Sequence, residues 1–194
     1  MAPKNGELEL RDTMGGGLNL GDGASRRIRG YPIVFNKPSE YIGGFVEYVA
    51  PEAVGRTLRE GRDVRALFSH DAAKVLGRTR SGTLRLDKDA HGLQATIDPP
   101  DPTDPANLLE LIRRGDVSGM SFQFTTLEDK WNFEGDVPVR TLLDIEIREV
   151  SIVTFPAYPD TSVAVRSLNE AAKAQGVTWK PSLAFRERWL RIHP

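Results

Sequence analysis

Three kinds of side chain in this 194-residue chain could together carry out acyl transfer: a histidine, His70; a serine, Ser121; and a carboxylate within LDIEIREVSIVTF, residues 143–155. His70 closes the run VRALFSH and precedes Asp71. At the end of a buried strand an imidazole sits at the rim of the core, half desolvated yet able to reach another strand. A structural histidine bonded to backbone would occupy the same place. His91 lies between Ala90 and Gly92, in a turn, and His193 is next to the last residue, where chain ends fray. Of the three, His70 is the one placed to act as a general base.

Ser121 lies in DVSGMSFQF, residues 116–124. Side chains along a strand alternate in direction, so Gly119, Ser121 and Gln123 share one face and Met120, Phe122 and Phe124 the other. The apolar trio suits the core, which leaves Ser121 on an accessible outer face. There Gly119 lets a substrate backbone come close. Wet strand faces also carry serines that do no chemistry. The stretch is not a nucleophile elbow, which needs a glycine two residues after the serine and then a helix; here Gln123 and more strand follow.

In the third segment Ile145 and Ile147 alternate with Asp144, Glu146 and Arg148, and Glu149 falls in phase with the isoleucines. A carboxylate on the dry face is costly unless a hydrogen-bonding or positive group meets it. A histidine ring would satisfy it; so would an arginine, and a bulge near Glu149 would change the phase. Asp144 and Glu146 are weaker alternatives, since they need no special partner in water. Serine is a poor nucleophile until a base takes its proton, and the imidazole needs an acceptor on its other nitrogen to fix its tautomer.

The elements that must position these groups are mostly short strands. Residues 13–24, TMGGGLNLGDGA, read as a flexible link after a short alternating segment, 7–10, and the body begins near Arg26. Strands are expected over 27–35 and 44–48. A short helix follows, with Pro51 at its first position, Val54 and Leu58 as its buried stripe and Gly61 as its stop. A β-meander is expected over 64–97, with turns at Ser81-Gly82 and Ala90-His91-Gly92. Asp104 and Pro105 suit the start of a second helix, which buries Leu108, Leu109 and Ile112 and stops at Gly115. Strand 118–124, a polar excursion over 129–136 and a long β-rich segment, 139–155, follow, ended by Pro156. Residues 166–194 look less regular. Together these predict a mainly β fold with flanking helices, a strand-dominated barrel or sandwich.

Composition narrows the function. The chain is 39% hydrophobic and 27% charged, as a globular domain is, and Lys plus Arg number 26 against 27 Asp plus Glu. Such balance offers no global field for nucleic acid or an anionic membrane. No cysteine is present, which excludes disulfides and thiolate catalysis, and three scattered histidines argue against a metal site, so no cofactor is implied. MAPKNGELELRD has no signal-peptide core and no apolar run is long enough to span a bilayer, so a cytoplasmic location is expected.

The motifs, in order, resemble those of the prohead (capsid maturation) serine proteases of tailed phages, a family related to the herpesvirus assemblins. They are RIRGYPIVFN, EYVAPEAV, FSHD with LGRT after it, LDKDAHGLQATID, IRRGDVSGMSFQF and IREVSIVTFPAYPDTSV. The resemblance covers roughly residues 26–165, and the serine box and the EVSIVTFPA box are its most specific parts. It implies an assemblin-like closed β-barrel surrounded by a few α-helices. A flexible segment, 1–24, would precede a protease domain, 25–165, and a C-terminal tail, 166–194, would be open to self-processing. It further implies His70 as base, Ser121 as nucleophile and an acid in place of the assemblins' second histidine, for which Glu149 is the choice over Asp144 or Glu146. Gln123 departs from the small residue frequent at that position.

The role implied is a serine endopeptidase acting inside the assembling prohead in the host bacterial cytoplasm. Its substrates would be scaffold protein or the scaffold-like segment of the major capsid protein, and itself. A homodimer is left open; nucleic acid and membrane are not expected partners. The alternatives are a non-catalytic capsid-assembly or scaffold module on the same fold, and a small β-barrel binding domain in which His70 and Ser121 lie apart.

Overall fold

A computed structural model describes residues 7–13, 17–21, 26–42, 44–100, 108–154 and 161–178. Among the described residues the fold is mainly β, with three α-helices, and the strands lie in two sheets. In chain order the elements are β1 (Leu8–Thr13), β2 (Asn19–Leu20), β3 (Ile28–Val34), β4 (Val46–Val49), a 3-10 turn (Pro51–Val54) running into α1 (Gly55–Arg59), β5 (Arg65–Phe68), β6 (Asp71–Arg78), β7 (Leu84–Lys88), β8 (Gly92–Ile97), α2 (Leu108–Arg114), β9 (Gly119–Asn132), β10 (Val139–Val153) and α3 (Thr161–Ala174).

The first sheet runs β1-β9-β10-β5-β6, with β4 also on β10. β9 and β10 form its central hairpin. The first part of β10 pairs in parallel with β4, and its last part, Glu149 to Ile152, pairs in parallel with β5. The second sheet runs β2-β3-β8-β7. Between the sheets lies the main core, with Met120, Phe122, Phe124, Ile145, Ile147, Val150 and Ile152 on one side and Ile28, Ile33, Leu84, Leu93, Ala95 and Ile97 on the other. Burying such side chains fully stabilises by about 1.5–3 kcal/mol each, an upper estimate since the unfolded chain is not fully exposed. The sheets touch closely: a Cβ on Gly30 of β3 would lie 2.6 Å from the Met120 sulfur.

The closed barrel is not found among the described residues. β6 forms an edge, with Ala72, Ala73, Lys74 and Val75 exposed, and no strand among the described residues pairs beyond it. The expected meander over 64–97 is split: β5 and β6 belong to the first sheet, β7 and β8 to the second. Gly77 permits the crossing, for a Cβ there would meet the Thr83 carbonyl at 2.7 Å. The polar excursion at 129–136 begins too early, because β9 continues to Asn132. Trp131 anchors that extension in a second core with Ile42, Phe45, Ala164, Leu168 and Ala171. Residues 166–174, expected to be irregular, belong to α3, which presents the last three of those residues.

Within the 1–24 segment read as flexible, β1 pairs with β9 and β2 with β3. Asp104, Pro105, Pro156 and His193 lie outside the described residues. No described helix is long and apolar enough to cross a membrane.

Candidate active site

His70 stands in the two-residue turn that joins β5 to β6, since Phe68 pairs with Asp71. Ser69 and His70 both have positive φ, 52° and 59°. A tight hairpin turn of the primed type needs such angles at both central residues, and Asn-Gly is the sequence that adopts them readily. A histidine in that conformation is held against its local preference. The turn is fastened by the Ser69 amide, which donates to the Ile152 carbonyl at 2.9 Å.

Glu149 reaches the His70 ring because β10 carries a bulge. Ile147 pairs with Phe124 and Glu149 with Gln123, so two steps on β10 match one on β9 and Arg148 is the extra residue. Before the bulge Ile145 and Ile147 point into the core; after it Val150 and Ile152 do, which turns Glu149 and Ser151 to the other face. α1 braces β10 just upstream: the Thr57 hydroxyl donates to the Ile145 carbonyl at 3.2 Å and accepts from the Ile147 amide at 3.1 Å.

On that face Glu149 Oε1 meets His70 Nδ1 and accepts from the Ser151 hydroxyl at 3.0 Å. The His70 side chain is 24% exposed and that of Glu149 9%. The other two carboxylates point elsewhere. Asp144 pairs with Arg56 at 2.6 Å, and Glu146 with Arg148 at 3.0 Å and Arg62 at 3.4 Å. With Nδ1 facing an acid, Nε2 is the nitrogen left for a reacting proton. It is buried and has no hydrogen-bond partner among the described residues.

Ser121 sits on the same face, directly opposite Ser151 on β10 and Asp12 on β1. It is not on an accessible surface, as alternation had suggested, but fully buried. Its hydroxyl donates to the Arg11 main-chain carbonyl at 2.8 Å. Gly119 likewise serves packing, since a Cβ there would lie 3.2 Å from the Val153 side chain. His91 is in an exposed turn, its ring edge-on to Tyr31 at 4.7 Å.

Sequence reasoning missed Asp12. Burial raises its carboxyl from 3.8 to about 6, against the nearby Ser121 hydroxyl, His70 and Arg11, which lower it. One of its oxygens has no partner among the described residues. The alternation LELRDT is a strand signal, but only its first half was read as regular, and nothing local links it to a serine more than a hundred positions away.

The opposite, inward face of β1 joins a buried ionic cluster. Arg11 donates to Glu9 at 2.7 Å and to Glu47 at 2.7 and 3.2 Å; Arg140 donates to Glu9 at 2.6 Å, Glu47 at 3.0 Å and Asp129 at 2.8 Å. Burial alone would push the Glu9 carboxyl up, yet the two arginines and Thr126 hold it at about 2. Arg11 also lies over the Phe124 ring at 5.5 Å.

An acid and a hydroxyl on neighbouring strands, with an imidazole in the turn after the next strand, are the groups that acyl transfer to serine uses. Comparison with known proteins agrees in kind. A family model described as caudovirus prohead serine protease matches residues 16–175, which takes in β2 to α3. No curated protein and no solved structure matches the chain. The match spans most of the sequence, and the chain belongs to the family of caudovirus prohead serine proteases.

Proposed function

We propose that the chain is the endopeptidase of capsid maturation, with His70 as general base, Ser121 as nucleophile and Glu149 as the acid that orients the imidazole. The observation that carries this reading is the meeting of His70 Nδ1 with Glu149 Oε1, which directs Nε2 to the reacting side. In the working state Nε2 takes the Ser121 proton as Oγ attacks a peptide carbonyl. The imidazolium, steadied by Glu149, then gives that proton to the departing amine, and water hydrolyses the acyl-serine by the same exchange. Ser151, which donates to Glu149, helps hold the carboxylate in place.

The family membership supports scaffold protein, or the scaffold-like segment of the major capsid protein, as substrate, with cleavage inside the assembling prohead in the host cytoplasm and of the chain's own ends. The test is incubation of the chain with its capsid protein beside a Ser121→Ala variant; wild type cuts and the variant does not. Cleavage by Ser121→Ala would refute the assignment.

A second reading, a non-catalytic assembly module on the same fold, draws on the burial of Ser121 and its bond to Arg11. The two readings part on labelling by a fluorophosphonate, which modifies Ser121 only if His70 activates it.

A further inference from the structure

The edge of β9 that runs past Ser121 is covered by a strand that lies ahead of the family-matched region. β1 pairs antiparallel with β9 over the full length from Leu8 opposite Thr125 to Thr13 opposite Met120. The match to the protease family begins only at residue 16. Gly15-Gly16-Gly17 stands where the matched region begins. A main-chain carbonyl, that of Arg11, lies within hydrogen-bonding range of the Ser121 hydroxyl.

We infer that this edge is the seat of the substrate strand, that β1 holds it in the latent chain, and that its occupant is an extended peptide with Arg or Lys where Arg11 sits. The inference rests on the reading of Ser121 as nucleophile. Three physical arguments carry it. Main-chain pairing along a sheet edge does not depend on side-chain identity, so any extended segment can replace β1 on β9. With β1 in place the serine hydroxyl is committed to a carbonyl rather than to the imidazole, whose Nε2 stays without a described partner.

The third argument is charge. If β1 leaves, Glu9 and Arg11 leave together with no change in the cluster's net charge, and Glu47 is left with one guanidinium, that of Arg140, in place of two. Glu47 Oε1 loses the Arg11 Nε that it accepts from at 2.7 Å. Glu47 keeps Arg140 on Oε2, but its Oε1 is left without the cation it had, so the vacated seat favours a strand that brings a positive side chain to that depth. Substrate therefore competes with β1 for one groove, and the peptides it favours are those that restore the missing cation.

The decisive measurement locks β1 down. The chain has no cysteine, so Leu8→Cys with Thr125→Cys, a directly opposed pair four residues from Ser121, creates one disulfide. Fluorophosphonate labelling of Ser121 is expected to be at least about tenfold slower in the oxidised than in the reduced form, because labelling needs a minor undocked state. Equal rates overturn the inference. Should neither form label at all, the nucleophile reading fails instead, and hydrogen exchange of the Met120–Thr125 amides that pair with β1 still decides. Exchange in the reduced form that disulfide closure suppresses supports a displaceable β1; equal protection overturns it.

The charge requirement has its own arm. In the full chain Arg11→Glu, which places a third carboxylate beside Glu9 and Glu47, should loosen β1 and speed labelling of Ser121, while Arg11→Lys should label at a rate near wild type. Equal rates for the two variants overturn the cationic preference.

Discussion

His70 and Glu149, 79 positions apart, face each other through Nδ1 and Oε1 across the end of the β5–β10 parallel pair. The relationship needs a strained turn on one side and a bulge on the other. Without the bulge Glu149 would follow Ile145 and Ile147 into the core; without the left-handed pair Ser69-His70 the ring would not hang at that end.

Changing Glu149 to Gln keeps size and burial but replaces the acceptor with an amide that can present N–H to Nδ1. If Glu149 is the orienting acid, turnover falls by about 10⁴-fold, the scale of the corresponding acid-to-amide change in a serine triad. Peptide cleavage rates check this. Asp144→Asn and Glu146→Gln, whose carboxylates pair with arginines, should leave the rate near that of wild type.

Ser121→Ala removes one hydrogen bond, to the Arg11 carbonyl, and little packing. The expected stability loss is about 0.5–1.5 kcal/mol with complete loss of fluorophosphonate labelling. Urea unfolding midpoints read the first and intact-protein mass the second. Unfolding far beyond that range would show that burial of Ser121 is chiefly structural.

Asn-Gly in place of Ser69-His70 suits the φ values of +52° and +59°. Relief of left-handed strain is worth roughly 1–2 kcal/mol per residue, so the double variant should be more stable and inactive. Thermal unfolding beside labelling measures the exchange of stability for chemistry. A less stable double variant would mean that the His70–Glu149 contact outweighs the strain.

Asp12 should impose a pH dependence. Its carboxyl is raised by burial from 3.8 to about 6, with Ser121, His70 and Arg11 opposing and Glu40 adding to the rise. A group that holds its proton more tightly when folded favours the fold at low pH, and that advantage is lost as pH climbs from about 4 through about 6. Asp12→Asn should therefore be more stable relative to wild type at pH 8 than at pH 5. Urea midpoints at the two pH values test it, and a constant difference would exclude the effect.

Arg140 is 1% exposed and joins Glu9, Glu47 and Asp129. Arg140→Ala leaves buried carboxylates without their shared cation and should cost about 3–5 kcal/mol, read as a lowered denaturation midpoint.

Much of the scaffold could be read from alternation and punctuation. RIRGYPIV, GLQATI and the long β10 stripe have period two, and Gly61, Gly82 and Gly115 take the positive φ that their turn or cap positions need. The Glu149 phase problem was visible as a carboxylate in step with two isoleucines, and the structure answers it with both a bulge and a histidine. What could not be read depends on distant pairing. Nothing local reveals that LELRDT lies on β9, that 64–97 is shared between two sheets, or that α3 seals Trp131. Those contacts are chosen by complementary surfaces tens of residues or more apart, and local patterns are silent about them.

β10 takes both its parallel neighbours, β4 and β5, from much earlier in the chain, and β1 waits for β9 from the other end. A ribosome adding roughly 5–20 residues per second therefore exposes His70 several seconds before Val153 emerges. Throughout that interval the nascent polypeptide has an imidazole with no acid behind it. If His70 and Glu149 act as base and acid, an unfinished chain cannot cut until translation has passed the last residues of β10.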